Sequence, residues 1–185
     1  MSSVKKASVT ALCIALCCVL PLAFHALGLG AAFSPMHIPI LLCGLICGWS
    51  FGLFCGVAGP LLSCMITTMP ASAQLPYMIP ELAFYGFAVG LLFKLIRLRQ
   101  LTPRLMIALA AAMILGRIVG GAARMLYYGA TDRPYSVALW ASAYFAATLP
   151  GIITHLILIP TLYLILLKTG LISLPEGRTA KGDGI

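Results

Sequence analysis

From Ile38 to Met69 the chain carries no charged side chain, so this block belongs in hydrocarbon. At about 1.5 Å of rise per helical residue it is too long for one crossing of a bilayer core about 30 Å thick, and short for two. The flanking charges decide the count. Lys94, Arg97, Arg99 and Arg104 form the next basic cluster and should share the cytoplasmic side with Lys5 and Lys6, because short loops rich in Lys and Arg are retained there. An even number of crossings then separates the two clusters. With one span before the block and one after it, residues 38 to 69 are expected to supply two short spans reversing near Gly48-Trp49-Ser50-Phe51-Gly52. Short, glycine-broken helices of this kind point to a binding cavity inside the membrane.

The rest of the chain agrees with a membrane setting. It is 62% hydrophobic and 9% charged, and its mean hydropathy of +1.07 lies far from that of a soluble domain. The expected architecture is all-α and integral to the membrane, a bundle of six transmembrane helices over residues 1–168 followed by a polar cytoplasmic tail over 169–185. The net charge of +8 does not describe a nucleic-acid surface, since the basic residues sit beside apolar spans with few aromatics among them. All seven cysteines lie in apolar segments, which argues against a disulfide framework. Cys43 and Cys47 stand one helical turn apart but have no matching pair in a polar setting, so they read as small packing residues, and neither a metal nor a cofactor is expected.

In chain order, a basic head precedes the apolar run Ala7 to Leu27. This run resembles a signal peptide in outline but is long enough to span and lacks a clean cleavage site apart from Gly28-Leu29-Gly30. Ala7, Ala11 and Ala15 recur every four residues, a strip of small side chains that lets another helix approach closely. Gly28 to His37 reads as an outer loop, and Thr67 to Pro80 as a second one containing Pro70, Pro76 and Pro80. Glu81 is then expected in the first turn of span four, where a carboxylate suits a helix N-terminus. An inner loop from Lys94 to Arg104 leads to span five, about Leu105 to Tyr127. A third outer loop, Tyr128 to Ser136, holds Asp132, Arg133 and Pro134. Span six, about Val137 to Leu167, is overlong and interrupted by Pro150-Gly151 and Pro160. By this reading Lys5, Lys6, Lys94, Arg97, Arg99, Arg104, Lys168, Arg178 and Lys181 lie inside and Arg133 alone outside, which places both termini in the cytoplasm.

The chain lacks a G-x-x-x-x-G-K-[ST] phosphate loop, an H-E-x-x-H motif and a G-x-S-x-G elbow, so neither ATP hydrolysis nor hydrolytic catalysis is expected of it. What remains is a polar set that converges if the spans bundle: Glu81, Arg124, Arg117 and His155, with His37 beside two prolines as a loop histidine able to line a gate. Arg117 and Arg124 are seven residues apart, two turns on one helix face. Ionisable groups in a bilayer usually face a cavity or a partner. A structural ion pair between Glu81 and Arg124, a capped Arg117 and a hydrogen-bonded helix contact for His155 stand as the alternatives to solute binding.

The blocks Ser34-Pro35-Met36-His37-Ile38-Pro39-Ile40-Leu41-Leu42-Cys43-Gly44, Pro80-Glu81-Leu82-Ala83-Phe84-Tyr85-Gly86, Gly116-Arg117-Ile118-Val119-Gly120-Gly121 and Pro150-Gly151-Ile152-Ile153, in this order, resemble the substrate-binding S component of energy-coupling factor (ECF) vitamin transporters. The resemblance extends to about Lys168. It implies six helices in the cell membrane with both termini inside, and a solute site near the outer face covered by the loop between spans one and two. It also implies docking to a transmembrane coupling subunit driven by two ATPases, with the Ala7, Ala11, Ala15 strip matching the family's docking motif. Where similar sequences favour glutamine, this chain has His155. The expected cargo is a small water-soluble vitamin or related metabolite, with pantothenate as the lead. A self-sufficient secondary transporter or channel for a small organic anion is the rival, disfavoured by the lack of detectable inverted repeats and by the scarcity of carboxylates that could relay protons.

Overall fold

A computed structural model describes residues 1–28, 33–131, 136–143 and 148–172. The described residues are helical with short connections: α1 (Ser3–Ala26), α2 (His37–Cys47), α3 (Trp49–Thr67), a single 3-10 turn (Ser72–Gln74), α4 (Leu75–Leu95), α5 (Leu101–Ala130), α6 (Val137–Ala141) and α7 (Leu149–Lys168). Five helices, α1, α3, α4, α5 and α7, are long and apolar enough to cross a membrane, with the 3-10 turn continuing into α4. The sixth apolar helix, α2, has 11 residues, about 16 Å of rise, roughly half the hydrocarbon thickness.

The uncharged block does divide in two, at a single residue. Gly48 has φ +96°, a conformation that L side chains rarely adopt, and it separates α2 from α3 with no loop between them. Apart from His37 and Ile46, every residue of α2 is buried. The helix is sheathed by α1, α3, α4 and α7 and can therefore be short without exposing polar ends to lipid. Tight seating comes from glycine: a Cβ on Gly44 or Gly52 would strike the Gly86 carbonyl of α4, so α2 and α3 meet α4 backbone to backbone. Close approach of this kind is the main source of helix adhesion where lipid is as apolar as the side chains.

Four expectations are corrected. α4 begins at Leu75, so Pro76 lies in its first turn, Pro80 lies inside it and Glu81 is beyond the first turn. Proline is tolerated in a first turn because the N–H it lacks has no intrahelical partner there. His37 opens α2 instead of lying in a solvated loop. Arg104 belongs to α5 instead of the inner loop, with 9% of its surface exposed. The last expected span is two helices, and Pro150 and Gly151 open α7 instead of interrupting it, while Pro160 is accommodated within it. Asp132, Arg133 and Pro134, and the tail beyond Ile172 with Arg178 and Lys181, lie outside the described residues.

Candidate functional site

At one end of the bundle a cavity of about 670 Å³ opens among α1, the head of α2, the 68–74 connection, α4 and α5. The volume suits a small organic molecule. Among the described residues its charged walls are Glu81, Arg117 and Arg124, and His37 joins them at the head of α2. These four lining residues are ones the sequence points to, and the fold brings them together from three helices.

Helix α5 sets both arginines. Its buried positions, Leu101, Arg104, Leu105, Ala108, Leu109, Ala112, Met113, Gly116, Arg117, Gly120 and Gly121, repeat every three or four residues and make one inward stripe. Arg117 belongs to that stripe, and Arg124 follows two turns on. The Arg117 guanidinium donates from Nη1 to Thr148 Oγ1 at 2.8 Å, while its backbone carbonyl accepts the Trp140 indole N–H at 3.2 Å. Arg124 lies with Cζ 4.4 Å from the centre of the Tyr77 ring, a cation held over an aromatic face.

On the same helix, Gly116 and Gly120 form a notch that receives α4. A Cβ at Gly116 would enter the Tyr85 ring, and one at Gly120 would lie 2.5 Å from the Glu81 carboxyl carbon. Glu81 and Tyr85, one turn apart on α4, are therefore seated on the bare backbone of α5. Opposite them, His37 Nε2 stands 3.9 Å from Glu81 Oε1, with the two side chains 12% and 11% exposed. The His37 ring meets Tyr85 edge-on at 4.9 Å and stacks on His155 at 5.7 Å. His155, 1% exposed, backs His37 and does not itself line the cavity.

Sequence reasoning misses Tyr77, Tyr85, Thr148 and Ser34. Tyr85 carries a legible signal, its one-turn spacing from Glu81, whereas Thr148 is set by a connection that no periodicity marks. Ser34 has φ +44°, and its carbonyl accepts both the backbone N–H and the ring Nδ1–H of His37, each at 3.1 Å. A strained residue placed to aim a cavity side chain is a common mark of a functional site.

The small-residue strip lies elsewhere. Ala7, Ala11 and Ala15 are exposed on α1, on the side away from the inward Thr10, Cys13, Cys17 and Pro21. Cys43 donates to Thr10 Oγ1 and to the Phe51 carbonyl, and Cys47 to the Lys6 carbonyl, so these thiols act as packing donors between α1, α2 and α3. Among the described residues no group of His, Cys, Asp and Glu is arranged to hold a metal ion.

An apolar helical bundle with a polar, charged cavity set into one end is the architecture of a membrane protein that captures a small solute. The family of ECF transporter substrate-specific components matches residues 5–168, nearly the whole chain, and the protein belongs to that family. No curated protein and no solved structure matches it. It is a multi-pass protein of the cell membrane and the substrate-specific subunit of an ECF importer, working with the other ECF subunits.

Proposed function

We propose that this subunit captures a small, carboxylate-bearing, vitamin-like solute at the outer face and releases it into the cytoplasm, with pantothenate as the lead cargo. The observation that carries the reading is the charge of one cavity: among the described residues, two guanidiniums, Arg117 and Arg124, share it with a single carboxylate, Glu81. However these three pair among themselves, their charges sum to one positive in a partly dehydrated space, and an anion completes it. A carboxylate suits guanidinium, which offers two parallel N–H donors. Pantothenate adds hydroxyl and amide groups of a size the cavity accommodates; biotin and niacin share the carboxylate.

In this reading α2 serves as the sixth, shortened span, and both termini face the cytoplasm. α1 through α4 then lie between Lys5 and Lys94, the even number that the charge distribution requires. The exposed Ala7, Ala11 and Ala15 strip docks on a transmembrane coupling subunit, and two partner ATPases supply the energy.

The test is isothermal titration of pantothenate and of its neutral amide into the wild type and into Arg117→Ala and Arg124→Ala. The acid should bind the wild type more tightly than the amide. Each alanine variant should lose roughly tenfold or more for the acid, about 1.4 kcal/mol, with Arg→Lys restoring only part of it. Equal affinity of acid and amide in the wild type overturns the carboxylate reading.

A further inference from the structure

Arg117 is held at both of its ends by residues on the approach to α7. Its backbone carbonyl lies inside α5, where the helix ladder uses one lone pair and leaves room for a second hydrogen. The Trp140 indole supplies one from Nε1 at 3.2 Å. Gly121 makes this approach possible, because a Cβ there would enter the indole. At the far end of the side chain, the guanidinium donates from Nη1 to Oγ1 of Thr148, the N-cap residue of α7, at 2.8 Å. Helix α6 needs such an anchor. It has five residues, too few to persist as an isolated helix, and its Val137 and Leu139 are 68% and 53% exposed. Ala143, just past α6, and Thr148 line the cavity together with Arg117, so this brace stands at the wall where the solute would lie.

Resting on the solute reading above, we propose that Trp140 and Thr148 are positioning residues for Arg117, which order its guanidinium before the solute arrives, and that bound solute in turn seats α6 more firmly on α5. An arginine side chain is long and rich in rotamers, so ordering it only on binding would subtract from affinity. The guanidinium carries its N–H donors in one rigid plane, so a hydrogen bond at Nη1 to a hydroxyl at a helix start sets the direction of the whole fork. Trp140 acts on the backbone from which that side chain springs. An oriented fork serves a carboxylate, with its two acceptor oxygens, better than a neutral amide, which has one. Loosening the brace should therefore cost the acid more than the amide. The coupling is reciprocal: whatever factor the seated indole adds to solute affinity, bound solute adds to the seating of the indole.

The experiment titrates pantothenate and its neutral amide into the wild type, Thr148→Val, Thr148→Ser and Trp140→Phe. Valine matches threonine in shape and removes the acceptor, serine keeps it, and phenylalanine keeps an aromatic ring beside Gly121 but removes the N–H. Relative to the wild type, the ratio of acid to amide affinity should fall roughly tenfold in Thr148→Val and at least about threefold in Trp140→Phe, whereas Thr148→Ser should stay within about twofold. A merely structural role would weaken acid and amide alike and leave the ratio where it was. The second readout uses Trp49→Phe, which leaves Trp140 as the one tryptophan. Trp49 opens α3 and is not part of the cavity wall. Quenching of the Trp140 emission by acrylamide should decrease when pantothenate is added. An acid-to-amide ratio unchanged in Thr148→Val or in Trp140→Phe overturns the proposal while the carboxylate reading stands, and so does quenching that pantothenate leaves unaltered. If Thr148→Val folds poorly, Trp140→Phe and the quenching decide. A wild type that does not prefer the acid to the amide overturns both.

Discussion

Gly120→Val should push the Glu81 carboxylate off its seat on α5, because even a Cβ at that position would lie 2.5 Å from the carboxyl carbon. The expected result is a loss of solute affinity of roughly tenfold in a protein that still folds in detergent, read by titration beside a thermal unfolding curve. Arg104 makes the opposite case. Its Nε donates to the Phe93 carbonyl at 2.9 Å, Nη2 reaches the same oxygen, and Cζ lies 4.3 Å from the centre of the Phe93 ring, so it clasps the end of α4 to the start of α5. Arg104→Met should therefore cost about 2 kcal/mol of stability, seen as a lower unfolding midpoint, with solute affinity unchanged. The contrast marks what single residues disclose in advance. The two-turn spacing of Arg117 and Arg124 is readable because helical geometry alone puts them on one face. The burial of Arg104 is not, because it depends on a carbonyl freed at the end of another helix.

At the scale of the helix, α1 presents two unlike sides: a polar and thiol seam turned inward, and the exposed strip of Ala7, Ala11 and Ala15. Ala11→Trp should block close approach of a coupling subunit and abolish uptake when the ATPase partners are present, while leaving binding by the isolated subunit nearly intact. Unchanged uptake would remove the strip from the docking surface. The division of residues 38 to 69 at Gly48 is legible because an uncharged block too long for one crossing must turn somewhere, and glycine is the residue at which the chain turns with least strain. The start of α4 is hidden because Pro76 and Pro80 read as loop residues, although Pro76, in the first turn, breaks no hydrogen bond and Pro80 is accommodated within the helix. His37 is hidden for a related cause: its proline neighbours suggest a loop, while the contacts that order it come from Ser34, Tyr85 and His155, and two of these lie on other helices.

For the molecule as a whole, the proposed topology places Gln74 and Gln100, both exposed, on opposite sides of the membrane. Single cysteines at these positions, in a background with the seven native cysteines replaced, should react with an impermeant reagent from outside and inside respectively. Reaction of both from outside would reject the six-span arrangement. Overall class is open to sequence reasoning because hydrophobicity is a property of the chain alone, whereas the cavity is built by residues that meet only in the folded bundle. The shortness of α2 has an electrical consequence. Gly90, which packs against Trp49 at the foot of α2, lies one turn from Lys94, so in the proposed topology the foot is near the cytoplasmic surface and the head stands roughly 16 Å above it. In that topology water entering the cavity would carry the outside potential down to His37, and the membrane voltage would fall across the remaining half of the bilayer. A monoanion bound there would have moved through little of the field, and most of the electrical work, about 2.3 kcal/mol per 100 mV, would be left for the release step. Binding to the isolated subunit in vesicles should therefore change little under a potassium diffusion potential, while uptake by the full complex should slow as the interior is made more negative.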